Sequence, residues 1–143
     1  YSPMTPRDSL ASTAPYGNID RTFDLCKLTE ACGATYVART TTYHTAALIN
    51  YITKALQKKG FSFIEALSQC PTYFGRRNKL GAGSKMMEWY RDNSVTPAVY
   101  EKMTPEQKAG KILIGEFVDY VEPEYTDEYQ RIVEEVQKRG AAR

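Results

Sequence analysis

A single histidine, His44, stands among the 143 residues of this chain. That scarcity removes most zinc-hydrolase patterns, which need several imidazoles. A Ser–His or Cys–His nucleophilic pair can form only through His44, and its position at the head of an apolar-periodic segment reads as capping or padding a helix start. Neither a Walker A loop nor a G-x-G-x-x-G fingerprint occurs; Gly81-Ala82-Gly83 is too short for one and reads as a flexible connector. No apolar run approaches the roughly 18 residues of a membrane span. No signal-peptide pattern opens the chain, and there is no internal repeat or low-complexity tract. An excess of one charge is lacking too. With 19 basic and 17 acidic residues the net charge is +2, which gives no warrant for a nucleic-acid or membrane-surface partner. Cysteine is sparse and odd in number, at three, so a reducing compartment is expected rather than a disulfide framework.

What remains is ordinary for a globular domain: 42% hydrophobic and 25% charged residues, in a chain long enough to bury a core. The opening, Tyr1-Ser2-Pro3-Met4-Thr5-Pro6, is loop chemistry without an initiator methionine. A stand-alone domain and a piece of a longer chain would both begin this way. Residues 20–32 predict a helix, with Asp20 as N-cap, an apolar stripe of Phe23, Leu25, Leu28 and Ala31, and Gly33 as C-cap. Residues 34–39 predict a short strand and 45–59 a second helix ended by Gly60. A strand follows at 61–67. Helix, strand, helix, strand at these spacings is the pattern of an α/β fold with a parallel sheet and crossover helices. Further on, 71–84 reads as a loop, 84–93 as a short helix, and Thr104-Pro105-Glu106 as the start of a helical turn. Residues 111–120 read as a third strand, and 126–139 as a charged terminal helix capped by Thr126.

Cys70 is the most informative residue. It lies in Leu67-Ser68-Gln69-Cys70-Pro71-Thr72-Tyr73-Phe74-Gly75-Arg76, directly beyond the strand Phe61–Leu67. The C-terminal ends of strands are where open α/β sheets bind ligands. Pro71 removes a backbone donor and biases Cys70 toward an extended backbone, so that its sulfur can point out of the sheet end. These arguments favour a ligand or reactive thiol over an incidental one without deciding which. Cys26 and Cys32, six residues apart, point in different directions on one helix; both fall at apolar positions and read as buried structural thiols. Arg76, Arg77 and Lys79 read either as a solvated basic loop or as an anion-facing or acidic-partner-facing rim beside the cysteine.

Three segments carry a resemblance. Ser2-Pro3-Met4-Thr5-Pro6, Ser12-Thr13-Ala14-Pro15-Tyr16-Gly17-Asn18-Ile19 and Leu67-Ser68-Gln69-Cys70-Pro71-Thr72-Tyr73-Phe74-Gly75-Arg76-Arg77-Asn78 resemble the β subunit of 2-oxoacid:ferredoxin oxidoreductases, in the branch of the 2-oxoglutarate enzymes. The likeness runs the length of the chain, including Met86-Met87-Glu88-Trp89. It implies part of a thiamine diphosphate-binding domain with a mostly parallel sheet, residues 71–143 forming a cluster-side loop and C-terminal extension. It implies thiamine diphosphate, magnesium and a four-iron four-sulfur cluster as cofactors. The family's Gly-Asp-Gly, metal-binding Asn and N-terminal Cys-x-x-Cys have no counterpart here, so the resemblance implies the C-terminal half of such a subunit, without a complete active site of its own.

Residue by residue, Cys70 matches the last cluster ligand. Ser2 and Thr5 match the loop trailing the diphosphate site, where Met4 departs from the usual Thr. Arg76 and Arg77 match a basic segment that would face substrate or partner, and Cys26 and Cys32 match no ligand. The implied reaction is CoA-dependent oxidative decarboxylation of a 2-oxoacid in the cytoplasm. An α subunit, coenzyme A and ferredoxin are the implied partners, and electrons leave through the cluster. Two alternatives stand beside it: the same family acting on pyruvate or branched-chain 2-oxoacids, and a non-catalytic α/β interaction domain with a surface thiol at Cys70.

Overall fold

The computed structural model describes residues 1–141. Its central element is β1 (Tyr36–Thr41), whose residues are buried except for a half-buried Arg39. Alternation along the strand sends Val37 and Arg39 to one face and Tyr36 to the other. β2 (Ser62–Leu67) lies parallel to β1 in unbroken register, from Tyr36 opposite Ser62 to Thr41 opposite Leu67. The crossover between them is α2 (Thr45–Gln57), the βαβ unit that a parallel pair requires. α1 (Leu25–Ala31) packs on both strands. The core lies beneath it, with Cys26, Ala34, Val37 and Val118 buried together and Phe63 and Phe117 packed against them.

α1 starts later than its apolar stripe suggests. Its N-cap is Asp24, which accepts a hydrogen bond from the Lys27 N–H, not Asp20. Residues 20–24 belong instead to the N-terminal loop: Phe23 N–H donates to Pro3 C=O at 2.9 Å, and Asp20 N–H donates to Asn18 Oδ1 at 2.9 Å. Gly33 does follow the helix end in a left-handed conformation, φ +84°, as C′ glycines do. The pairing of the next strand starts at Tyr36 rather than Ala34. The two thiols of this helix diverge. Cys26 is buried as expected, but Cys32 is exposed, because it caps the helix end rather than lying on the core stripe.

The segment 71–84 is not a plain loop. Pro71–Gly75 forms a π-helical turn, and α3 (Gly83–Asn93) follows. β3 (Ser94–Val95) leads into the helical turns α4 (Pro97–Tyr100) and α5 (Pro105–Lys108), the latter closed by a Thr104–Gln107 capping box. The strand expected over 111–120 divides at Gly115, φ +146°. β4 (Ile112–Leu113) pairs parallel with β3, while β5 (Gly115–Asp119) pairs antiparallel with β1 across a bulge between Val37 and Ala38. The main sheet, β2-β1-β5, is therefore mixed: parallel where α2 crosses over, antiparallel where the chain returns. α6 (Tyr125–Ala141) is capped by the Glu124 carboxylate, which accepts from the N–H groups of Thr126 and Asp127 at 2.8 and 3.2 Å, rather than by Thr126. Among the described residues no helix is long and apolar enough to cross a membrane.

One ionic cluster ties α1 to the sheet. Arg39 pairs with Glu65 on β2 through Nε and with Asp24 through Nη2, and the Cys26 thiol donates to Glu65 at 3.4 Å. Glu65 is 7% exposed. The Arg39 guanidinium is the counter-charge beside this buried carboxylate. Arg39→Met is expected to destabilise the fold by about 3–5 kcal/mol, since it leaves that carboxylate buried without a counter-charge. Urea titration followed by circular dichroism measures this, and a loss under about 1 kcal/mol would contradict it.

Candidate functional site

Three segments meet at one end of the sheet. β2 ends at Leu67, and Thr42 N–H carries the pairing one step further by donating to Leu67 C=O at 2.9 Å. The Thr42 hydroxyl donates to Gln69 Oε1 at 2.8 Å. The short link 68–69 is thus moored to the end of β1, and Cys70 follows at the strand mouth, as the sequence implies. Its backbone, φ −122° and ψ 84°, lies outside the helical region, as the following proline favours, but falls short of the fully extended conformation expected from the sequence. Gly75 N–H donates to Cys70 C=O at 2.8 Å, closing the Pro71–Gly75 turn over the cysteine.

This turn sets the chemistry of the thiol. Cys70 is exposed, and its pKa lies below the ordinary value because the N–H groups of Phe74 and Tyr73, and to a lesser degree Thr72, favour the thiolate. Burial drives Cys26 the other way, up to about 12, with Glu65 beside it adding to the effect against Arg39. Of these two thiols, the one whose surroundings favour the thiolate, the form that ligates metals, is Cys70. Gly75 is needed for this geometry, since a Cβ there would lie 2.7 Å from Met86 Sδ and 3.3 Å from Cys70 O. Met86 of α3 is buried against the turn.

Beyond the turn, Lys79 takes the left-handed conformation, φ 55°, and Gly81 does likewise at φ 80°. The chain reverses there into α3 and leaves an open groove of about 500 Å³, lined by Pro71, Thr72, Gly75, Arg76, Lys79, Gly81 and Ala82. Arg76 and Lys79 give it a basic wall. Arg77 is exposed nearby, outside that lining. Gly81-Ala82-Gly83 is not merely a flexible connector: it forms part of the groove and the start of α3.

Ser2 and Thr5 form a turn of their own. Thr5 N–H donates to Ser2 C=O at 2.9 Å and Ser2 N–H donates to the Thr5 hydroxyl at 3.0 Å. Asn18, almost wholly buried, donates from its amide to Thr5 C=O at 2.8 Å. No direct hydrogen bond joins this turn to Cys70 among the described residues. The link runs through Asn78, which the sequence alone does not single out. Its side chain accepts from Leu10 N–H at 2.8 Å, donates to Leu10 C=O at 2.9 Å, and donates to Phe74 C=O at 2.9 Å. Periodicity carries no signal for such an amide; the one pointer is its place at the end of the Cys70 segment. His44 stands at the head of α2 with its Nδ1 in a 2.8 Å hydrogen bond with the Thr41 hydroxyl, in keeping with a padding role.

These residues fit the implied cofactors only in part. The amide-lined thiol of Cys70 fits one ligand position of an iron–sulfur cluster. Among the described residues no group of three or more His, Cys, Asp or Glu side chains could hold a metal by itself, so the remaining ligands, and those of magnesium, would come from elsewhere. The Ser2–Thr5 turn fits an edge of a cofactor site rather than its floor.

The parallel βαβ unit, with Cys70 just beyond the end of β2 and the N-terminal loop joined to the Cys70 turn through Asn78, defines a mixed α/β domain. Residues 3–66 match the family described as thiamine pyrophosphate enzyme, C-terminal TPP binding domain. The chain is 47% identical over 135 residues to the 2-oxoglutarate synthase subunit KorB of Methanocaldococcus jannaschii, covering 94% of this chain and 50% of that protein. Against the subunit of the same name from Methanothermobacter marburgensis it is 48% identical over 134 residues, covering 94% and 47%. It therefore spans about half the length of the curated relatives it matches. The solved 2-oxoglutarate:ferredoxin oxidoreductase from Magnetococcus marinus, with 2-oxoglutarate, coenzyme A and succinyl-CoA bound, superposes with a TM-score of 0.74. That match is at 23% identity over 96% of this chain and 47% of that one, and it supports the fold. Residues 3–66 thus carry a thiamine pyrophosphate enzyme C-terminal domain, and the chain is homologous along 94% of its length to 2-oxoglutarate synthase KorB subunits.

Metal-free protein tests the thiol assignment. Cys70 is expected to react with iodoacetamide well before Cys26, its rate rising with pH to a plateau reached below the ordinary thiol value. Cys26 should stay unmodified until strongly alkaline pH, because burial holds it protonated to about 12. Peptide mapping after a short pulse reads both rates, and equal labelling at neutral pH would contradict the assignment.

Proposed function

We propose that this chain forms the cluster-side part of the β subunit of a 2-oxoglutarate:ferredoxin oxidoreductase. The reaction is 2-oxoglutarate + CoA + two oxidised ferredoxins giving succinyl-CoA + CO₂ + two reduced ferredoxins + one proton. The observation that carries this reading is Cys70: an exposed, amide-stabilised thiol at the mouth of the parallel pair, in a chain 47% identical over 94% of its length to a 2-oxoglutarate synthase subunit. Thiamine diphosphate, held with magnesium, supplies the electron sink for decarboxylation, and a four-iron four-sulfur cluster carries the electrons away singly.

Within that reaction this chain's residues bind and orient. Cys70 supplies one thiolate ligand to the cluster, the others lying outside these 143 residues. Ser2 and Thr5 present a pre-closed turn along the edge of the diphosphate site. Arg76 and Arg77 face the acidic surface of ferredoxin, near enough to the cluster ligand for electrons to cross. The chain works as one portion of a larger thiamine diphosphate-binding unit beside an α subunit, in the reducing cytoplasm. The apolar side chains left bare on α2, Ile49 and Leu56 at 61% and 82% exposure, support an assembled role over a free-standing interaction domain.

Assay of the complete enzyme with a viologen acceptor tests the reading. Turnover with 2-oxoglutarate should exceed that with pyruvate or branched-chain 2-oxoacids by at least about tenfold in kcat/KM, a difference of about 1.4 kcal/mol in transition-state binding. A preference for another acid would move the chain to that branch, and no turnover with any of them would refute the enzyme. Cys70→Ser should remove the broad visible absorption of the cluster and its iron under anaerobic conditions; an unchanged spectrum and iron content would remove Cys70 as a ligand. Replacing Arg76 and Arg77 by Glu should slow reduction of ferredoxin at low salt by at least about tenfold while leaving viologen reduction intact. Equal slowing of both acceptors would rule out a docking role.

A further inference from the structure

Asn78 joins the two segments that the proposed function treats separately. Its one amide group bonds three backbone atoms on two stretches of chain. Toward the N-terminal loop it makes a reciprocal pair with Leu10, 68 residues away, accepting from the N–H at 2.8 Å and donating to the C=O at 2.9 Å. Toward the cysteine turn it donates to Phe74 C=O at 2.9 Å. It is half-buried, so water competes poorly for these bonds. An amide is the only side-chain group that can mimic a β-pair with one residue while donating to a second carbonyl; a carboxylate lacks the donors and a hydroxyl has too few.

The bonds on either side of Asn78 are also continuous. Beyond Leu10, Asn18 N–H donates to Ser9 C=O at 2.9 Å, Asp8 N–H donates to Asn18 C=O at 2.7 Å, and Ala11 and Ala14 exchange two bonds of 3.1 Å. The Asn18 amide then reaches Thr5 C=O at 2.8 Å. Beyond Phe74, the turn closes through Gly75 N–H on Cys70 C=O at 2.8 Å. The path from Thr5 to Cys70 is thus hydrogen-bonded throughout, with Asn18 fixing one end and Asn78 the junction. Gly17 sits at φ +104°, where an added Cβ would lie 3.3 Å from Asp8 O, so the loop has little room to rearrange.

We infer that Asn78 is a positioning residue that locks the Cys70 turn to the Thr5 loop, so that the environment of the cluster ligand and the edge of the diphosphate site are set together. This rests on the reading that both cofactors bind here. In the complete enzyme, Asn78→Ala should weaken thiamine diphosphate binding by about five- to tenfold in calorimetry. The same variant should shift the midpoint potential of the cluster and alter its electron paramagnetic resonance line shape, with the iron content retained. Asn78→Asp keeps the acceptor for Leu10 N–H but turns oxygen toward two carbonyls, and should disturb both readouts at least as much. A residue that merely supports the fold would lower the melting temperature while leaving affinity and potential at wild-type values; that result, or a change at one cofactor alone, overturns the inference.

If the variants fail to assemble, hydrogen exchange in the wild-type enzyme answers instead. Adding thiamine diphosphate should slow exchange in residues 5–18 and 70–80 together, and slowing confined to 5–18 overturns the inference. A wild-type enzyme that holds neither thiamine diphosphate nor iron is a different outcome: it refutes the enzymatic reading itself, and this inference with it.

Discussion

The in-register parallel pairing of Tyr36–Thr41 with Ser62–Leu67 is the constraint on which the rest depends. Parallel strands cannot be joined by a tight turn, so α2 must cross over. Both strands then end at the same level, and that level is where Thr42 captures the backbone and side chain of the segment leading to Cys70. A register slip would turn every side chain of β1 to the wrong face. Arg39, held between Glu65 on β2 and Asp24 at the head of α1, makes such a slip costly, because the buried carboxylate would lose its partner. The site thus inherits its geometry from the core.

The turn at Cys70 then converts backbone geometry into chemistry. Pro71 keeps the cysteine out of the helical region, Gly75 lets the turn pack against Met86, and the N–H groups of Thr72, Tyr73 and Phe74 favour the thiolate. The same fold holds Cys26 as an inert thiol under α1, pushed up to about 12 by burial. Two cysteines of one chain thus have opposite reactivity, set by surroundings rather than by the residue.

The alternation of helix and strand, the strand ending before Cys70 and the unusual Cys-Pro step were all legible in the sequence, because local periodicity and proline stereochemistry write them there. Features that depend on distant partners were not. Asp24 caps α1 because residues 20–24 are held by the N-terminal loop, a contact no helical pattern records. The break at Gly115 is a matter of its φ and of two different pairing partners, so one apolar run became two strands, the second antiparallel to β1. Cys32 looked apolar by spacing and is exposed because it caps the helix. Asn18 and Asn78 act on backbone atoms far away in sequence, and isolated asparagines give no pattern to read. The cofactor identities rested on resemblance throughout, and the family match over residues 3–66 agrees with it for thiamine diphosphate.

The central claim is that Cys70 lends one thiolate to a cluster whose other ligands lie outside these residues. An anaerobic crystal structure of the complete enzyme tests it most directly. The account predicts an iron–sulfur cluster with Cys70 Sγ bonded to one iron and the turn Pro71–Gly75 folded over it as here. A cluster liganded wholly by other residues, with Cys70 free in solvent, would contradict it.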